Sequence, residues 1–410
     1  MSSESIIEKL ASSIGVLALF ISLNPFILWI LWPAYVNIPV FLAVIGITIL
    51  LMLIKQLDIT AIKLVFFFFT FFLMLQVGTP LFSGRGFEVG KVMTFISLMC
   101  ILSFKPDILL NIFLKFRKLI IFFCWFSVIV FVITLVGINL PYYKIPAFSV
   151  VMKSSHEGSF YMLYGLVVSS TNTIYQFGGM TIARVCGPFL EPGHFSIYIG
   201  MILIFEKIIF NKFSKILLVT GVLTFSPTFL IFIVVAWFYE MMYLKKYSYI
   251  FKYVLFLLIP VSLIFIFLDD IKDELVYLFI GRNFERSGLS LTELLDDRAG
   301  KSALTFYNYF KETPAVWYGK GVDYVANFGV LSDWRGMVFK YGIIGLFFSL
   351  LMLICVPFFT DKKLERLIIT MIIIIIYLHR SWMFESSFIY LFLIIGLISK
   401  SVYDNIEENV

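Results

Sequence analysis

The sequence predicts an all-α polytopic membrane protein, and three observations predict it. Hydrophobic residues make up 61% of the 410 residues and charged residues 14%, and the mean hydropathy is +0.99. That balance excludes a water-soluble domain. Apolar runs long enough to cross a hydrocarbon core of ~30 Å recur along the whole chain. Two long polar stretches, 138–194 and 269–335, interrupt them. The expectation is one membrane domain over 1–410, with about 12 transmembrane segments and two long extracytoplasmic loops.

The spans are expected in order at 14–32, 36–54, 62–77, 92–104 and 119–137, then near 195–210, 250–268, 337–358, 364–378 and 383–399. The first ten residues are polar and acidic and lack a signal peptide's basic start and small-residue cleavage site. The first apolar run is therefore expected to be a retained helix. Asn24-Pro25 lies inside it and predicts a kink, because proline removes a helix hydrogen bond.

Segment 216–243 reads as one long helix or as two short ones broken at Ser226-Pro227. Two halves, 216–226 and 228–243, put Lys245, Lys246 and Lys252 on the same side as the basic short loops, with both long loops opposite. The positive-inside rule favours that arrangement and places both termini in the cytoplasm. Short helices at membrane depth survive when packed inside protein or lining a cavity, so this pair is expected to wall a site.

Two amphipathic surface helices are expected. Over 107–118, Ile108, Leu109, Ile112, Phe113 and Phe116 fall on one stripe followed by Lys115, Arg117 and Lys118, the pattern of a basic anchor on the inner face. Over 291–312, Ser290-Leu291-Thr292-Glu293 matches a capping box and Pro314 a stop, which predicts a helix lying on the outer surface. Gly319 and Gly321 then mark a turn.

The four cysteines, Cys100, Cys124, Cys186 and Cys355, form no disulfide framework. The net charge of +6 follows from insertion rules and is no sign of nucleic acid. Neither His156-Glu157, Asp269-Asp270 nor Asp296-Asp297 has metal-ligand spacing. No metal and no cofactor is expected, and Gly-rich phosphate loops and nucleophile elbows do not occur.

Candidate chemistry concentrates in 183–195, where Arg184, Glu191 and His194 sit among the turn-forming Gly187-Pro188 and Pro192-Gly193. The stretch re-enters a span at Phe195, and charge beside a bilayer is costly enough to signal function. The turns fold the chain back, which would bring Arg184 and Glu191 together. Glu191 reads as a general base or as a group that orients Arg184, and His194 as a weaker base or a helix cap. Arginine is also distributed unlike lysine. Arg117 and Arg366 lie inside on this topology, whereas Arg85, Arg184, Arg282, Arg286, Arg298, Arg335 and Arg380 lie outside. The guanidinium fork matches phosphate oxygens in a bidentate way, so an outward arginine cluster suits a lipid-linked diphosphate, unless these arginines pair with the loops' own carboxylates.

These residues carry a resemblance. Arg184-Val185-Cys186-Gly187-Pro188-Phe189-Leu190-Glu191-Pro192 resembles the Arg-x-x-Gly-x-Phe-x-Glu-Pro loop of the O-antigen polymerase (Wzy) family, which is related to the O-antigen ligases. Arg298, Pro314 and Gly319-Lys320-Gly321 resemble that family's second-loop helix and its Gly-x-Gly turn. Tyr341-Gly342-Ile343-Ile344-Gly345-Leu346 is similar to its Gly-x-x-Gly motif, and Thr224-Phe225-Ser226 to its break between short helices. Where ligase-like relatives carry a His-Asn pair, this chain has Ser332-Asp333-Trp334-Arg335.

The resemblance implies a GT-C-like glycosyltransferase of the bacterial inner membrane with its active site on the periplasmic face. It implies transfer of a growing glycan from undecaprenyl diphosphate to the terminal sugar of a new lipid-linked repeat unit. Arg184 and Arg298, with Arg335 in support, would stabilise the departing diphosphate. Glu191, with Asp333 in reserve, would take the acceptor proton, while His194 and Arg380 would contact substrate. Loop aromatics such as Tyr142, Tyr143, Trp317, Tyr318 and Trp334 would stack on sugar rings or anchor at the membrane interface. Implied partners are undecaprenyl-diphosphate-linked oligosaccharides, membrane lipids, a chain-length regulator and a flippase. A ligase shares most of these features and differs mainly in its acceptor. A flippase would place ionisable residues mid-membrane, where these spans carry almost none. A mannosyltransferase using a dolichyl-type monophosphate donor would need an acidic residue in the first outer loop, and 33–37 has none.

Overall fold

A computed structural model of the chain describes residues 3–26, 28, 33–58, 70, 74–78, 89–146, 160–170, 174–177, 180–244, 301–320, 334–360, 362–380, 383 and 387–408. These residues are mostly helical. They form two compact units, Met1–Ile120 with Ala299–Val410, and Ile121–Arg298. The single domain expected over 1–410 is therefore described in two parts. Among the described residues, Pro106–Leu135, Pro192–Phe210 and Trp334–Phe359 are long and apolar enough to cross a membrane.

In the first unit, α1 (Ser3–Ser22) pairs with α2 (Pro33–Leu53), and α3 (Val89–Leu102) lies beside α2. The kink expected at Asn24-Pro25 is instead a helix end. α1 stops at Ser22, and Asn24 takes a left-handed φ of 54°. An asparagine tolerates that conformation, and the proline after it cannot continue the helix.

The surface helix expected over 107–118 is also corrected, because it is the first third of the continuous helix α4 (Pro106–Leu135). No breaker separates residue 118 from 119, and Pro106 suits a first helical position. The apolar stripe packs on protein rather than lipid: Ile108, Leu109, Ile112, Phe113 and Phe116 are all buried. Phe116 meets Phe392 edge-on at 5.4 Å. Lys115 does not face lipid phosphate either, since its Nζ donates to the Lys9 carbonyl and the Ser13 hydroxyl, both at 3.0 Å.

The C-terminal part of this unit holds α8 (Lys301–Phe310), α9 (Trp334–Cys355), α10 (Lys363–Arg380) and α11 (Ser387–Glu408). The last three overlap the spans expected from 337, 364 and 383. The helix expected to lie on the outer surface over 291–312 is described from Lys301 onward, and its apolar side packs on protein. Phe306 and Phe310 meet Phe339 at 5.4 and 4.7 Å. The span expected at 250–268 lies outside the described residues, as does most of 62–77.

In the second unit, the remainder of α4 is followed by strands where only loop was expected. β1 (Tyr143–Pro146), β2 (Phe160–Tyr164) and β3 (Val167–Ser170) form an antiparallel sheet in that order, and β4 (Ile174–Phe177) pairs with β5 (Met180–Ala183). The all-α expectation fails for 138–194. Phe160 to Tyr164 is aromatic and apolar, and Gly165 supplies the positive φ of 66° that turns β2 into β3.

Helices α5 (Pro192–Phe210), α6 (Lys215–Leu223) and α7 (Pro227–Leu244) complete the unit. The two-helix reading of 216–243 holds: α6 and α7 are separate, with 224–226 between them. α7 packs along α5 because Gly200 admits the Phe232 ring where a β-carbon would come within 2.6 Å of it. At the far end a buried ion pair joins the same helices, Lys207 Nζ to Glu240 Oε1 at 2.8 Å.

Candidate functional site

The stretch 184–191 connects β5 to α5, and each of its turns has a local cause. Gly187 adopts a φ of 59°, and a β-carbon there would lie 2.5 Å from the Phe195 ring. Only glycine combines that conformation with that approach. The Gly187 carbonyl accepts a hydrogen bond from Val168 N–H at 2.8 Å, which ties the stretch to β3. Phe189 is fully buried between Phe195, at 5.7 Å, and Tyr198, at 4.7 Å. Glu191 is extended and forms the N-cap, and Pro192 opens the helix.

Glu191 therefore sits at the positive end of a helix that is buried along most of its length. A carboxylate is stabilised there by the helix dipole and its unpaired N–H groups. His194, expected just ahead of the helix, lies inside its first turn, with Nε2 3.6 Å from Glu191 Oε2. The imidazole thus pairs with the carboxylate rather than capping the helix. Tyr161 on β2 shares this neighbourhood. Burial raises its phenol well above the usual range, and the nearby Glu191 and Cys186 charges push the same way. The phenol therefore stays neutral.

Arg184 does not join Glu191. Its Nε donates to the Thr224 carbonyl at 2.8 Å and its Nη2 to the Phe225 carbonyl at 3.0 Å. Both acceptors belong to the break after α6, where Thr224 is the C-cap and Phe225 has a left-handed φ of 46°. A fixed cation suits the negative end of a helix. The backbone adds a second tie, Val185 N–H to the Leu223 carbonyl at 3.2 Å. Ser196 on α5 then meets Ser226 at the break, their hydroxyl oxygens 2.9 Å apart and buried. Arg184, Glu191 and His194 are thus anchored around one junction, where β5, the start of α5 and the α6–α7 break converge.

Beside Arg184 lies a cavity of about 30 Å³ bounded by Ser127, Tyr164, Ser169 and Cys186. It is the size of a solvent molecule and far too small for a sugar.

The other candidates fall outside the described part of this unit. Arg335 is in the first turn of α9 and 8% exposed, and Arg380 ends α10 half-buried. Both belong to the first unit. Arg298 and Asp333 lie outside the described residues. Two quoted motifs do meet within the first unit: the turn at Gly319 packs on the kink of α9 at Gly342. Lys320 N–H donates to the Phe339 carbonyl at 2.7 Å, and Ile344 N–H to the Trp317 carbonyl at 3.2 Å. Among the described residues, no three His, Cys, Asp or Glu side chains gather as a metal site.

Sequence reasoning passed over Tyr161 and Ser196. Tyr161 is one aromatic among many, and its meaning depends on a strand that was read as loop. Ser196 carries no signal beyond lying three residues after Gly193. In comparisons with known proteins, no family model, no curated protein and no solved structure matches this chain.

Proposed function

We propose that this protein is a polysaccharide repeat-unit polymerase of the bacterial inner membrane, of the O-antigen or capsule kind. In this reading it has about twelve membrane segments in a GT-C-like arrangement, and its two long loops face the periplasm. The anomeric carbon of a growing glycan is attacked by a hydroxyl oxygen on the terminal sugar of a new lipid-linked unit. The new C–O bond forms as the bond to undecaprenyl diphosphate breaks. The bonding electrons leave with the diphosphate, and the hydroxyl proton passes to a base. A flippase would deliver the repeat units, and a chain-length regulator would act on the product.

The observation that carries this reading is the anchored Arg184–Glu191 junction. Two carbonyls hold Arg184, and Glu191 sits at the mouth of a buried helix. A cation fixed by backbone carbonyls needs little reorganisation as charge develops, which is the requirement for releasing a diphosphate. Arg184 uses Nε and Nη2 on the protein, and Nη1 is left for a phosphate oxygen. Glu191 is assigned as the base, with the His194 imidazole 3.6 Å from its carboxylate. The resemblance adds Arg298 and Arg335 as further cations, Arg380 and His194 as substrate contacts and Asp333 as a reserve base.

The test is the surface glycan of a strain lacking this chain and complemented with variants. Wild type restores a ladder of repeat units. Arg184→Ala and Arg298→Ala, inserted at wild-type level, leave single repeat units on the lipid core. Long-chain glycan from either variant would remove that arginine from the mechanism. Finished polymer stranded on the carrier lipid in the deletion strain would make the protein a ligase instead.

A further inference from the structure

Within the first unit, α9 and α10 enclose a second, larger concavity of about 530 Å³, a volume in the range of ligand sites rather than packing defects. Its walls are Leu350, Ile354 and Phe358 on one side and Ile373 and Ile374 on the other. Several of them are exposed: Ile354 is 58% accessible, Phe358 66% and Ile374 50%. From Leu350 to Phe358 the wall is about 12 Å long at helical rise, close to the hydrocarbon depth of one leaflet in a core of ~30 Å.

The groove is apolar along its length and cationic at one end. Arg366 lines its mouth, with its guanidinium 5.1 Å over the Phe358 ring and its Nε donating to the Thr360 carbonyl at 2.6 Å. Lys363 stands three residues earlier on the same helical stripe as Arg366, Thr370, Ile373 and Tyr377, and is exposed. The neighbouring Lys362 is committed elsewhere, to Asp404. Arg366 at the groove and Lys363 beside it lie in the first turns of α10, where the helix dipole is also positive. An apolar slot one leaflet deep with a two-cation rim has the polarity of a single lipid molecule with an anionic head group.

We propose that this groove is a binding site for an anionic phospholipid of the cytoplasmic leaflet. One acyl chain lies along Leu350, Ile354 and Ile374, and the head-group phosphate sits against Arg366 and Lys363. The choice of leaflet rests on the positive-inside placement of this end, and the site does not depend on the glycan chemistry. A zwitterionic head group brings its own cation to the rim and loses the advantage.

Native mass spectrometry of the full chain in detergent tests this with phosphatidylglycerol and phosphatidylethanolamine of identical acyl chains. Phosphatidylglycerol is expected to stay bound at collision energies that strip phosphatidylethanolamine. Arg366→Ala and Lys363→Gln should each cut that retention about fivefold, and Ile354→Trp, which fills the slot, should abolish it. Lys363→Gln removes charge without touching the Thr360 contact, so it separates head-group recognition from folding. Equal retention of the two lipids, or unchanged retention in Lys363→Gln and Ile354→Trp, overturns the proposal. Displacement of phosphatidylglycerol by equimolar undecaprenyl phosphate would assign the groove to the prenyl carrier. A lipid-free dimer lost in Ile354→Trp would assign it to a second copy of the chain.

Discussion

At Gly342 a single residue decides whether two parts of the first unit can meet. Its φ of 71° and ψ of −178° lie in a region that is essentially closed to residues with a β-carbon. A β-carbon there would also fall 2.2 Å from the Trp317 carbonyl oxygen. Gly319 mirrors it from the other side, with φ 82° and a β-carbon position 2.3 Å from the Lys340 carbonyl oxygen. The backbones pass this close because neither carries a side chain, and the Ile344–Trp317 hydrogen bond closes the contact. Gly342→Ala should therefore destabilise the protein by roughly 2–3 kcal/mol, the upper part of the range for one strained residue. Ile343→Ala, at a partly exposed neighbour, should cost well under that. Denaturant titration in detergent micelles measures both, and a cost for Gly342→Ala below about 0.5 kcal/mol, the level of an ordinary surface change, would mean that the junction is not held together. Both glycines were marked in the sequence as parts of separate motifs. That the two motifs touch was not legible, because no periodicity encodes a contact between a turn and a kink.

Among the elements, what could be read depended on whether the deciding signal was local. The α6–α7 break was legible because Ser226-Pro227 offers a break point and the charges at Lys245, Lys246 and Lys252 favour two helices over one. The strands of 143–183 were missed although Gly165 and the Gly178-Gly179 pair are hairpin signals, because residue-level polarity outweighed alternation in runs of four or five. The stripe at 107–118 was read correctly as amphipathic and assigned to the wrong partner. Amphipathicity states that one face is apolar; it cannot say whether lipid or Phe392 covers it. Arg184 follows the same logic, since its partners lie forty residues ahead on backbone carbonyls that any sequence would supply. The end of α11 allows a quantitative test. Burial of Asp404 works against its charge, yet hydrogen bonds from Lys362 and Lys400 outweigh it and hold the carboxyl below its usual value of 3.8. A carboxyl depressed by folding stabilises the folded state above its unfolded pKa, and loses that contribution as pH falls through the folded value. The wild type should lose about 1 kcal/mol relative to Asp404→Asn as the pH drops below that value, a modest figure because the group is partly solvated. Parallel slopes for the two proteins between pH 5 and about 2.5 would show that these pairs contribute nothing.

For the whole molecule, the orientation of the chain in its membrane decides which side the Arg184–Glu191 junction faces. The β1–β3 sheet is continuous with that junction through the Val168–Gly187 hydrogen bond, so a label on the sheet reports the side of the site. Tyr143 on β1 is 69% exposed and suits that role. Lys363, at the start of α10, is exposed, and the positive-inside rule would keep it in the cytoplasm. In a background with Cys100, Cys124, Cys186 and Cys355 replaced, Tyr143→Cys should react with a membrane-impermeant maleimide in intact spheroplasts. Lys363→Cys should react only after permeabilisation. Both labelled from outside would leave an even number of crossings between 143 and 363, where the expected order of spans requires an odd number. The reverse pattern, with 363 outside and 143 inside, would put Arg184 and Glu191 in the cytoplasm. A diphosphate-releasing site could still operate there, but on lipid-linked units that had not yet crossed the bilayer. Repeat-unit polymerisation on the outer face would then be the wrong chemistry for this chain, even with the geometry of the junction unchanged.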